Sequence, residues 1–161
     1  DGIFIAGIPD ASHAATDPAP VGHDADALPF GSHDPSPDSV PDIRRAVAIE
    51  STLAPYGLGT AIVIRRGRVL AIGADEPALE VIERAAGFYQ PSRRRTGVVV
   101  IGHREPLDEN LIAAVAAAGF EGLVVMYGRE VRPQHKGAIA ASADAHGIFI
   151  AGAEVIDQVP A

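Results

Sequence analysis

The sequence predicts an α/β fold: a mainly parallel sheet with flanking helices, one β-hairpin, and an extended N-terminal strand on a Pro-rich arm. Three observations carry this reading. The runs Val98–Ile101, Leu123–Met126 and Ile148–Ala151 are apolar at every position, as strands buried on both faces are. Segments with helical apolar spacing separate them, which implies right-handed crossovers between parallel neighbours. The chain, at 161 residues, is the size of one ordinary domain with one core.

Each element has a local reason. Ile3–Gly7 reads as a short buried strand, because it is apolar and bounded by glycines. From Pro9 to Pro41 the prolines at 9, 18, 20, 29, 35, 37 and 41 are interleaved with Asp, Ser, His and Gly. Apolar periodicity is missing there, so residues 1–41 read as a strand and an extended arm, and residues 42–161 as the α/β body. Asp38, Ser39 or Asp42 can cap a helix whose apolar positions Ile43, Ala46, Val47, Ile49 and Leu53 keep helical spacing until Pro55 and Gly57.

Thr60–Ile64 and Arg68–Ile72 are β-branched runs around Arg66-Gly67, the spacing of a tight hairpin. Ala78–Ala86 forms a short helix with Pro77 at its start and Gly87 past its end. Leu107–Ala118 places Leu111, Ile112 and Val115 on one face, and Gly119 suits a left-handed cap. The last helix, His135–His146, turns Ile139, Ala140 and Ala143 inward and closes on Gly147.

Gly2–Gly7 is identical to Gly147–Gly152. A buried strand between turns draws on few residue types, so the match needs no duplication. If Ile3–Gly7 finds no partner in its own body, it can complete the sheet of a second copy, giving a homodimer by exchange of the strand.

Composition narrows the function. Thirteen Lys+Arg against twenty-one Asp+Glu give a net charge of −8, which argues against nucleic acid or an anionic bilayer as a general partner while leaving room for a local basic site. Zero cysteines exclude disulfides and thiolate chemistry. Mean hydropathy is +0.15, and no apolar run reaches the length of a membrane span. The opening Asp1-Gly2-Ile3-Phe4 has neither a Met nor a basic leader, as expected of a piece of something longer.

Polar clusters supply the candidate chemistry. Asp75 and Glu76 follow one strand and precede a helix, where two carboxylates can hold Mg²⁺ or Mn²⁺ and orient a water; the helix dipole explains them equally well. Arg93, Arg94 and Arg95 precede Val98–Ile101, and guanidiniums pair with phosphate oxygens in a bidentate way. His103 follows that strand, at the carboxyl end where open α/β sheets bind ligands. His13, His23 and His33 recur among aspartates, but a Pro/Asp arm pre-organises no metal site. His146 suits the negative end of its helix.

The order of segments resembles the C-terminal portion of the LpxI-type UDP-2,3-diacylglucosamine pyrophosphatases of lipid A synthesis. The likeness rests on Ile3–Gly7 before a Pro-rich connection, Asp42-Ile43 opening a helix, Leu58-Gly59-Thr60-Ala61-Ile62-Val63, Gly67-Arg68-Val69-Leu70-Ala71-Ile72, Ala116–Gly122 and Ile139–Phe149. The resemblance implies a divalent metal, a UDP-linked diacylated sugar as substrate, and UMP and lipid X as products. It also implies a cytoplasmic location, with the inner-membrane surface as an alternative.

Where the family reads E-x-x-E-G-T-D, this chain has Gly73-Ala74-Asp75-Glu76-Pro77-Ala78-Leu79, and only Glu76 matches. Where the family reads K-P-x-Q-D-x-R, Pro91 matches and Arg94 stands at the acidic position. The expectation is a diverged relative with weakened or lost hydrolysis that keeps a site for a nucleotide or phosphorylated ligand. The alternative is an active metal-dependent hydrolase using Asp75 and Glu76.

Overall fold

The computed structural model describes residues 4–6, 31–90, 92–102, 104–127 and 136–154. Among these residues six strands and four helices follow in the order β1 (Phe4–Ala6), α1 (Val40–Leu53), β2 (Ala61–Arg65), β3 (Arg68–Ile72), α2 (Ala78–Ala86), β4 (Val98–Ile101), α3 (Glu109–Ala117), β5 (Gly122–Tyr127), α4 (Lys136–His146) and β6 (Phe149–Glu154). A single 3₁₀ turn, Ala54–Tyr56, follows α1.

The strands form one sheet in the order β1-β6-β5-β4-β2-β3. Parallel pairing is confined to β4–β5 and β5–β6. The pairs β1–β6, β2–β3 and β2–β4 are antiparallel, so the expected mainly parallel sheet holds only in part. The cause is the hairpin. Its second strand β3 lies at the edge and its first strand β2 inserts between β3 and β4. Consequently β3, β4, β5 and β6 all point one way, while β2 and β1 point the other.

Side chains alternate between two buried layers, as the pleat requires. Val63, Val99, Ile101, Leu123, Val125 and Ile150 face α2, α3 and α4, where they meet Val81, Ile82, Ile112, Val115, Ile139 and Ala143. Ile62, Ile64, Val98, Val100, Val124 and Met126 face the other side, where Ile43, Ala46 and Val47 of α1 pack. Each fully buried aliphatic side chain contributes about 1.5–3 kcal/mol, so both layers hold the strand register against slippage.

The hairpin turns at Arg66-Gly67, where both residues adopt positive φ (49° and 74°), as a two-residue turn matched to strand twist demands. Gly119 and Gly147, past the ends of α3 and α4, take the expected left-handed conformation. Asp42 does not cap α1. Pro41 occupies its first turn, and the Asp42 carboxylate instead accepts a hydrogen bond from the Gly67 amide at 2.7 Å, while Arg45 donates to the Gly67 carbonyl at 2.6 Å. These bonds fix the start of α1 to the hairpin turn.

The end of the arm is tied to the body. Ser32 donates to Asp144, and Ser36 donates its amide and hydroxyl to Glu121. At the other end of the chain β1 pairs with β6 of the same molecule, Phe4 opposite Glu154 and Ala6 opposite Gly152. The condition argued for strand exchange, a strand without a partner in its own body, is therefore not met.

A Cβ on Gly122 would lie 2.3 Å from the ring of Phe149, which is 1% exposed and has nowhere to move. Gly122→Ala is expected to lower stability by about 1–3 kcal/mol in urea unfolding. A variant as stable as the parent would show that this contact is looser than described.

Candidate functional site

Strand direction decides which loops meet. The carboxyl ends of β3 and β4, the start of β2 and the end of α1 converge at one end of the sheet. The loops there are joined by main-chain bonds: Gly59 N–H to the Gly73 carbonyl (2.8 Å), Gly102 N–H to the Thr60 carbonyl (3.1 Å) and Glu105 N–H to the Gly102 carbonyl (3.1 Å). Between them lies a cavity of about 40 Å³ lined by Glu50, Ala54, Gly57–Thr60, Gly102, Arg104 and Glu105. It has room for a few waters or one small polar group.

Glu50 is the notable residue of this cavity. It is 1% exposed, and its Oε2 has no hydrogen-bond partner among the described residues. Burial pushes its carboxyl up to about 7. A carboxylate removed from water without a partner favours its protonated form, so near neutral pH Glu50 exchanges a proton readily. Sequence reasoning missed it, although a signal existed. Residues 43, 46, 47 and 50 form one helical row, and a Glu in that apolar row has to be buried.

The predicted carboxylates sit beside this cavity but are engaged differently. Asp75 is exposed. Glu76 accepts from the Ala74 amide at 2.9 Å and forms an ion pair with Arg84. The Ala74 amide first, then its own backbone and the Arg84 guanidinium, hold the Glu76 carboxyl below the usual range. The Glu76 carbonyl accepts from the Thr60 hydroxyl at 2.9 Å. Pro77 at the start of α2 offers no capping side chain, and Glu105 from the next loop accepts from the Ala78 amide at 3.0 Å in its place. Leu79 is partly exposed on the first turn.

The three arginines lie at the opposite end, before β4 begins. Arg93 is exposed. Arg94 approaches Asp38 at 3.6 Å, with both side chains in solvent. Arg95 donates to the carbonyls of His146 and Gly147, satisfying the C-terminal end of α4. His146 meets the Ser142 carbonyl at 2.8 Å in the last turn of that helix. The structure thus separates Asp75 and Glu76 from Arg93–Arg95 by the length of β4, and no single cleft contains both. His103 lies outside the described residues, as do His13 and His23; His33 is exposed.

These features define an α/β domain with a small acidic cleft at the carboxyl ends of its parallel strands. Residues 27–151 match the LpxI C-terminal domain family. The chain belongs to that family. A curated relative, the UDP-2,3-diacylglucosamine pyrophosphatase LpxI of Caulobacter vibrioides, is 28% identical over 139 residues, which are 78% of this chain and 49% of that protein. The chain thus spans about half the length of this relative. Among solved structures, a dCMP deaminase from the cyanophage S-TIM5, in complex with dCMP and dUMP, aligns over 70% of this chain and 97% of its own at 13% identity and a TM-score of 0.46.

The state of Glu50 predicts a pH signature. With its folded pKa raised from 4.5 to about 7, the native state binds more protons than the unfolded state between those values. Stability from this group is therefore present below pH 4.5 and is lost as pH rises to about 7. Glu50→Gln removes the loss and is expected to gain on the parent across that window by up to about 3 kcal/mol. Parallel stability curves for the two proteins would contradict the assignment.

Proposed function

We propose that this domain is a diverged LpxI-type module, with hydrolysis of UDP-2,3-diacylglucosamine weakened or lost, which retains binding of a nucleotide or phosphorylated ligand. The observation that carries this reading is the Glu76–Arg84 ion pair beside the Ala74 amide. Splitting a phosphoanhydride requires charge neutralisation on the phosphates and a positioned water, normally from a carboxylate-held cation. Glu76, the residue that matches the family motif, already has its charge balanced by a guanidinium.

The surrounding residues point the same way. Leu79 stands where the family motif has Asp and offers no ligand atom. Arg94, where the family has an acidic residue, lies at the far end of the sheet. Among the described residues, no group of three or more His, Asp and Glu side chains is placed to hold a metal ion. The donor set of Asp75 and Glu76 does not fit Mg²⁺ or Mn²⁺ as it stands. This reading goes with a cytoplasmic location; among the described residues no helix is long and apolar enough to cross a membrane.

The second reading, an active metal-dependent hydrolase giving UMP and lipid X, draws on one observation. Glu50 and Glu105 place two carboxyls in the cavity beside the Asp75-Glu76 loop. Incubation of the purified protein with UDP-2,3-diacylglucosamine and Mg²⁺ or Mn²⁺ separates the two. The first reading predicts UMP release at or little above the uncatalysed rate, unchanged by Glu76→Gln. Metal-dependent release abolished by Glu76→Gln would establish the second.

A further inference from the structure

Beyond the acidic cleft, the hairpin end of the sheet carries a second depression, about 410 Å³ in volume, lined by Arg65, Arg66, Arg68, Val69, Leu70, Phe88 and Tyr89. In a chain of net charge −8, this lining contains three guanidiniums and no carboxylate. Among the described residues neither Arg66 nor Arg68 forms an ion pair, although Arg66 also borders a neighbouring depression lined by Asp38, Asp42 and Glu121. Three guanidiniums around a lining without a carboxylate favour an anion.

The floor is built, not a chance gathering of surface side chains. The Arg65 guanidinium lies 4.0 Å over the Tyr89 ring and its Nε donates to Thr96 at 2.7 Å. Tyr89 in turn donates its hydroxyl to the Ala118 carbonyl and packs its ring against Phe120 at 5.6 Å between centroids. Arg65 is thereby held in one orientation. Arg66 sits in the tight turn, whose Gly67 is bonded on both sides to α1. Beside these, Phe88 leaves 64% of its surface in water, so an aromatic face is open to a ligand at the rim.

We infer that this depression binds a nucleoside diphosphate, the phosphates lying among Arg65, Arg66 and Arg68 and the base stacking on Phe88. Guanidiniums match phosphate oxygens in pairs, and a base stacks on an aromatic face without regard to its identity. The volume suits a ligand of that size. The site lies across the sheet from Glu50 and Glu76, so it is independent of hydrolysis at the acidic cleft.

Calorimetric titration of the full chain with inorganic pyrophosphate, UDP and ADP tests the inference. Saturable binding of all three is expected, weakened about tenfold or more in Arg66→Glu and Arg68→Glu. Both residues are exposed, so these variants are expected to fold, and an unchanged circular dichroism melt checks it. Phe88→Ala is expected to weaken UDP and ADP about fivefold or more while leaving pyrophosphate unchanged. Glu76→Gln should alter none of these affinities, which separates this site from the cleft. Lack of saturable pyrophosphate binding, equal affinity in the charge-reversal variants, or binding to anionic phospholipid vesicles that UDP fails to displace would overturn it.

Discussion

The inner strands β2, β4 and β5, with β6, are buried on both faces, and this constraint governs the rest of the molecule. Because α1 covers one layer and α2, α3 and α4 the other, none of these four strands can shift by one residue without turning a buried face toward its opposite. Register and direction are therefore fixed together. With β2 and β1 opposed to the other four strands, the loops sort into two sets at the two ends of the sheet. The glycines make this arrangement possible where strands crowd, as Gly122 does under the Phe149 ring.

The two ends of the sheet carry different polar groups. At one end Glu50, Arg104 and Glu105 line a narrow cavity, with the Glu76–Arg84 pair and Asp75 in the loop beside it. The other collects Arg65, Arg66, Arg68 and the Arg93–Arg95 run, together with Asp38, Asp42 and Glu121. Within each end the polar groups differ in fate. Arg95 satisfies helix carbonyls and Glu105 satisfies a helix amide, so these are structural. Among the described residues Glu50 has no partner for Oε2, and neither Arg66 nor Arg68 forms an ion pair. Unsatisfied groups mark where a ligand gains most by arriving.

Most elements were legible in the sequence because their signals are local. Periodicity located Val98–Ile101 and Ala78–Ala86 with the bounds the structure shows, and Arg66-Gly67 announced the hairpin. The parallel character of the sheet was overread, since nothing local says that β2 inserts between β3 and β4; that depends on pairing Ile62 with Val100, far along the chain. The candidate site was less legible for the same reason. Arg95 reaches a helix end 51 residues away, so its capping role cannot be read from its neighbours. Glu50 could have been found, because it interrupts an apolar helical row, whereas the engagement of Glu76 by Arg84 needs the folded loop.

The sheet holds the acidic loop and the arginine run apart. The chain has no cysteine, so spin labels can be placed on an Asp75→Cys, Arg94→Cys pair without background. Pulsed electron resonance should return a single distance population above about 15 Å, since the rise of a four-residue strand (about 13 Å) and two strand spacings (about 10 Å) combine to about 16 Å. A main population below about 15 Å would bring both groups into one cleft and contradict the account, because strand geometry leaves no other way for them to meet.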